Sequence, residues 1–124
     1  MIAGWVVLGG ALGALSRFGV ITVMARHERW PGWVAIVLVN LIGCMLIGIG
    51  AGAIGHAGWM HALAMTGFCG ALTTFSSFAL DVALLIMVRA WRSVLICVGF
   101  TMIAGPILTW LGWQLAHELG HTVG

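Results

Sequence analysis

Four long apolar runs, separated by short polar connections, fill most of the chain. They extend from about Ile2 to Ala25, Trp33 to Ile54, Trp59 to Val88 and Ser93 to Ala116. A helix that crosses a membrane needs roughly 20 mainly apolar residues. The pattern therefore predicts an all-α integral membrane protein, a single four-helix subunit over residues 1–124 with no room for a soluble domain. The N-terminus lacks the basic stretch of a signal peptide, so the first run is expected to remain as a helix. The third run is too long for one straight crossing: at ~1.5 Å per residue it would measure ~45 Å, against a hydrocarbon core of ~30 Å. Its middle, from Gly67 to Phe78, mixes Gly67 and Gly70 with Thr73, Thr74, Ser76 and Ser77. A central break is predicted there. Interrupted backbone at membrane depth is tolerated only where protein buries it or where it lines a polar path, so the break is the first candidate for a functional site. In the fourth run Gly105-Pro106 predicts a bend, and residues 117–124 read as a short polar tail.

Composition agrees with the pattern. Charged residues make up 6% of the chain, with no lysine, where a soluble domain carries about 25%. A net charge of +2 points to no nucleic-acid partner. Cys44, Cys69 and Cys97 lie far apart inside apolar runs and read as buried free thiols. The tryptophans gather near the predicted span ends, as an interfacial belt does. Gly9 with Gly13, and Gly48 with Gly52, form GxxxG pairs. These fit close packing between spans or a dimer face.

The five arginines fall on one side of a four-span arrangement. Arg26, Arg29, Arg89 and Arg92 sit in the first and third connections, and Arg17 lies nearer that end of the first span. Arg17 can snorkel toward the same surface. The positive-inside rule then makes these connections cytoplasmic and turns both termini outward.

The break carries the chemistry. Phe75 and Phe78 are one helical turn apart and share a face. Aromatic edges are positive, so two of them can stabilise a small anion without charged ligands. Ser76 and Ser77 add hydroxyl donors, and Asn40, deep in the second span, adds an amide donor. Unwinding at Gly70 and Thr73 would expose carbonyls suited to a small hard cation. Each feature also has a plain role: phenylalanine packing, hydroxyls bonded to their own helix, an asparagine joining two helices. Their joint occurrence around a break favours an ion pathway.

One other motif competes. His117-Glu118-Leu119-Gly120-His121 fits H-E-x-x-H, in which two histidines bind zinc and the glutamate activates water. Catalytic zinc needs a third protein ligand, for which only His56, His61 or Asp81 stand upstream. Gly120 weakens the helix the motif requires, so chance occurrence on an interfacial tail is the simpler reading.

Three segments resemble the Fluc (CrcB-type) fluoride channels. Gly9-Gly10-Ala11-Leu12-Gly13-Ala14-Leu15-Ser16-Arg17-Phe18 resembles the family's glycine-rich first helix. Val39-Asn40-Leu41-Ile42-Gly43, followed by Gly48, resembles its second. Gly67 to Phe78 resembles the signature GxCGGxTTFSTF and is the specific part of the match; Ala71 replaces the second glycine of its GG pair and Ser77 its last threonine. The resemblance implies subunits packed as an antiparallel dimer with two fluoride pathways and passive export of fluoride through the cell membrane. It implies that Phe75 and Phe78 contact fluoride, that Asn40 lines the pore and that Ser76 and Ser77 form a hydroxyl track. It further implies a structural sodium ion (Na+) at the dimer centre on the carbonyls of Gly70 and Thr73, and Arg17 near the vestibule. Family members include dual-topology homodimers and paired, oppositely oriented subunits. The one-sided arginines suggest a fixed orientation and a partner chain that is a homologue, not an identical copy. A multidrug exporter would need a carboxylate in its first span, where none exists. A zinc protease and a purely structural membrane subunit are the remaining alternatives.

Overall fold

The structure, a computed structural model, describes residues 1–54 and 58–123; Gly55, His56 and Ala57 of the second connection and Gly124 lie outside the described residues. Helix α1 spans Ile2–Arg26 and α2 spans Gly32–Ala53. Helix α3 joins a π-helical stretch, His61–Cys69, to one α turn, Gly70–Leu72. Helix α4 spans Phe75–Met87 and α5 spans Trp91–Val123. Four stretches are long and apolar enough to cross a membrane, the third being α3 and α4 together over His61–Met87. All regular structure among the described residues is helical, as it must be where every backbone polar group has to be satisfied within protein.

Two glycine seams hold the helices together. A Cβ on Gly9 would collide with the Leu63 carbonyl, and one on Gly13 with the Phe68 carbonyl. From the other side, a Cβ on Gly67 would stand 2.6 Å from the Val6 carbonyl oxygen. Helices α1 and α3 therefore touch backbone to backbone. The second seam joins α2 to α5. A Cβ on Gly48 would strike the Thr109 carbonyl, and one on Gly112 would lie 2.5 Å from the Met45 carbonyl oxygen. The Thr109 hydroxyl locks this seam by sharing its one proton between the Cys44 and Gly105 carbonyls, each at 3.1 Å. Both GxxxG pairs are thus spent on packing within the chain. They are not a free dimer face, because the helix each one approaches belongs to the same subunit.

Toward the arginine-bearing end, Ile36, Val37, Phe78 and Cys97 form a buried cluster flanked by Ile21, Trp33, Leu41, Val82, Leu85 and Val98. It ties α4 between α2 and α5. Helix α4 then ends with Arg89 at φ 56°, in the left-handed region. The Arg89 N–H donates to the Ile86 carbonyl at 3.0 Å and the Ala90 N–H to the Leu85 carbonyl at 2.9 Å. This is a Schellman stop with arginine where glycine is usual.

The last helix extends beyond the apolar run that predicted it. The polar residues 117–123 continue α5 as helix, and α5 also runs on through Gly105-Pro106. Gly120 costs a helix only about 1 kcal/mol. The Thr122 hydroxyl binds the Glu118 and Leu119 carbonyls at 3.4 and 3.0 Å, which offsets part of that cost in the final turn. The three cysteines are free thiols, two of them buried.

Gly9→Ala should lower the yield of monodisperse protein in detergent, since the new methyl meets backbone; overpacking typically costs about 1–3 kcal/mol. Gly10→Ala, which meets nothing within 4 Å, should be neutral or stabilising by size-exclusion chromatography and thermal denaturation. Arg89→Gly should raise the thermal midpoint, because a left-handed L-residue costs roughly 1–2 kcal/mol.

Candidate functional site

Thr73 and Thr74 are both extended, with ψ of 150° and 121°, and so part α3 from α4. Three side chains make this break tolerable. Asn40 Nδ2 donates to the Thr74 carbonyl at 3.1 Å, while Asn40 Oδ1 accepts from the Thr74 N–H at 2.8 Å. One amide thus supplies both bonds that a neighbouring peptide would supply. The Thr74 hydroxyl accepts from the Ser77 N–H at 3.3 Å and caps α4. The Thr73 hydroxyl donates to the Cys69 carbonyl at 3.0 Å and closes α3. Helix α2 is shaped for the break: one turn beyond Asn40, a Cβ on Gly43 would collide with the Thr73 methyl.

The break also releases carbonyls. The Thr74 N–H, which a continuous helix would give to the Gly70 carbonyl, goes to Asn40 instead. Gly70 is exposed, and a Cβ there would meet nothing within 4 Å. The donor set at Gly70 and Thr73, backbone oxygen on accessible chain, suits a hard monovalent or divalent cation.

Beside the break lies a groove of about 260 Å³ lined by Asn40, Cys44, Ile47, Thr73, Thr74, Phe75, Phe78, Thr101 and Met102. The Phe75 and Phe78 rings stand 6.2 Å apart, tilted by 44°. They differ in setting: Phe78 is 7% exposed and anchored in the core, whereas Phe75 is 78% exposed. The groove therefore unites Asn40, Phe75, Phe78 and Thr73. It does not take in Ser76, Ser77, Gly70 or Arg17. Ser76 is exposed, with Oγ 3.5 Å from the Thr74 hydroxyl. Arg17 is half-buried on α1. Asn40 keeps one further N–H, since its amide nitrogen carries two protons and gives one to Thr74.

A second groove, of about 720 Å³, shares Cys44, Thr101 and Met102 with the first and continues past Gly105, Pro106 and Thr109 to Trp113. The two form one trough along α2 and α5. Sequence reasoning missed the α5 wall. The available signals were Thr101, a hydroxyl inside an apolar span, and Pro106, which withholds an N–H from the Met102 carbonyl. Asp81, the one charge in the third span, sits one turn past Phe78, and its Oδ2 is buried with no partner among the described residues.

The H-E-x-x-H pair does come together, with His117 and His121 ring centroids 4.6 Å apart. Yet among the described residues no three of His, Cys, Asp and Glu converge on a point. Neither His61 nor Asp81 completes a zinc centre, and His56 lies outside the described residues.

Asn40→Ala should lower the thermal midpoint in detergent, since a buried amide left unpaired costs about 1–3 kcal/mol. Asn40→Asp should destabilise as well, because a carboxylate accepts from the Thr74 N–H but repels the Thr74 carbonyl.

The profile of the family described as CrcB-like protein, Camphor Resistance (CrcB), matches residues 4–113. The fluoride-specific ion channel FluC 2 of Rhodococcus jostii is 42% identical over 111 residues, covering 89% of this chain and 94% of the relative. FluC 1 of Geobacillus kaustophilus is 36% identical over 114 residues, covering 91% and 96%. FluC of Ignicoccus hospitalis is 34% identical over 118 residues, covering 93% and 94%. With the match running through all four membrane-spanning stretches, the chain belongs to the CrcB-like family.

Proposed function

We propose that this chain is a multi-pass cell-membrane channel that lets fluoride leave the cell passively and so lowers intracellular fluoride. The relatives carry that name, and family membership places the chain among channels, not enzymes. The observation that carries the reading is the uncharged, mainly apolar groove at the break, in which the Asn40 amide stands beside the Phe75 and Phe78 rings. Fluoride holds its water tightly, so a pathway must replace that shell without binding the ion too strongly to release it. Phenyl edges at Phe75 and Phe78 and the spare Asn40 N–H offer positive partial charge but no full charge, and the Ser76 and Ser77 hydroxyls next to the groove would extend the track. Arg17, on the arginine-bearing side, would raise the local anion concentration at a vestibule.

A second subunit completes the pathway. Phe75, the Gly70 backbone and the trough are open on the surface of the chain. Lipid cannot satisfy exposed carbonyls, so protein must cover them. An antiparallel neighbour would bring a second Gly70–Thr73 pair to the first. A structural sodium ion held on those carbonyls would neutralise their dipoles at the centre and tie the two breaks together. The unpartnered Asp81 carboxylate also needs a donor, which an opposing chain or pathway water can supply. Arginines on one side only favour a neighbour that is a paired homologue of opposite orientation.

Purified chain in liposomes, alone and with any natural partner, should release fluoride and retain chloride. Phe75→Ile and Phe78→Ile should cut fluoride efflux by about tenfold or more, with Phe75→Ile leaving the fold intact because that ring is exposed. A correctly folded dimer, with its natural partner supplied, that passes no fluoride would defeat the channel reading. Robust flux and a single-species dimer from this chain alone would defeat only the paired-homologue idea.

A further inference from the structure

The His117–His121 pair takes no part in the trough, yet its geometry is that of a ligand. Helix α5 has 33 residues, about 50 Å at ~1.5 Å each, which exceeds the ~30 Å hydrocarbon core by some 20 Å. Its first turn lies beside Arg89 and Arg92, and Trp110 and Trp113 mark the opposite interface. The turns beyond Trp113 therefore project into water, where His117 and His121 are both exposed. The two rings are one turn apart on one face, with centroids 4.6 Å apart and planes at 64°. A metal ion ~2.0–2.1 Å from one nitrogen of each imidazole, at an ordinary bond angle, sets the ring centres roughly 4.5–5 Å apart. Trp113 stacks on His117 at 5.2 Å and 30°, which restrains one of the two rings in advance. The hydroxyl of Thr122 bonds to backbone in this turn, and neither imidazole is engaged by it.

We propose that the projecting end of α5 is a two-histidine site for a late first-row divalent cation, with His117 and His121 as ligands and water in the remaining positions. Neutral imidazole selects copper, nickel or zinc over sodium or magnesium, and copper(II) heads the affinity order. Glu118 is one residue from His117 and so points about 100° away around the helix. It is not a ligand, and the site lacks the third protein ligand that catalytic zinc requires. Bridging one turn across Gly120 staples the end of the helix, so binding and terminal helicity rise together.

The test uses full-length chain without a histidine tag, in detergent or vesicles, titrated with copper(II), nickel(II) and zinc(II). Calorimetry should show one ion bound per chain, tightest for copper. Copper paramagnetic resonance should show coupling to two imidazole nitrogens. His117→Ala and His121→Ala should each weaken binding by about tenfold or more, since even outer-shell losses cost 10–100-fold. Glu118→Gln and His61→Ala should bind as the parent does. Equal copper affinity in the parent and the double-alanine chain, or a copper spectrum without two-nitrogen coupling, would overturn the site. Both substitutions lie on an exposed helix end, so loss of fold does not confuse the result.

Discussion

A peptide chain that stops being helical inside lipid must find hydrogen bonds within the protein, and here the amide of Asn40 provides them. Its two bonds to Thr74 let α3 end and α4 begin at membrane depth. Everything at the site follows from that exchange. The Thr74 N–H leaves the Gly70 carbonyl unclaimed, the extended backbone turns Phe75 outward and Phe78 into the core, and Thr74 becomes the cap of α4. The side chain that makes the break stable is the same one that stands in the groove.

The glycine seams serve that arrangement. Membrane helices gain nothing from hiding apolar surface from one another, so they associate through close van der Waals contact. Backbone-to-backbone packing of α1 on α3 and of α2 on α5 makes two stiff pairs. Gly43 extends the same logic to the break by admitting the Thr73 methyl. The short helix α4 docks on the second of these pairs, between α2 and α5, through Phe78 and Cys97. The face carrying the break and the trough is left uncovered.

Partial charges dominate the chemistry of that face. No charged side chain lines either groove of the trough. Full charges sit elsewhere: arginines in the connections on one side, and Asp81 one turn beyond Phe78. In a low-dielectric setting a full charge would trap an anion, whereas aromatic edges, amides and hydroxyls allow it to move on. Weak donors inside the grooves and full charges outside them fit a channel through which an anion passes.

The sequence by itself determined the four spans, the all-helical class, the place of the break and the identity of Asn40, Phe75 and Phe78 as its associates. Hydrophobic length and the lipid's lack of hydrogen bonds leave few alternatives, and a mixed stretch of glycine and hydroxyl residues amid apolar ones is conspicuous. Three matters were decided only by tertiary structure. The partners of the GxxxG pairs depend on which helix faces which, and a periodic pattern does not record that. The division of labour between Phe75, exposed, and Phe78, buried, arises because the extended turn at Thr73 and Thr74 sets the rotation of α4 against α2. The α5 wall of the trough, with Thr101 and Met102, became visible only when residues some sixty positions from Asn40 came to lie beside it; one-dimensional spacing holds no trace of that contact.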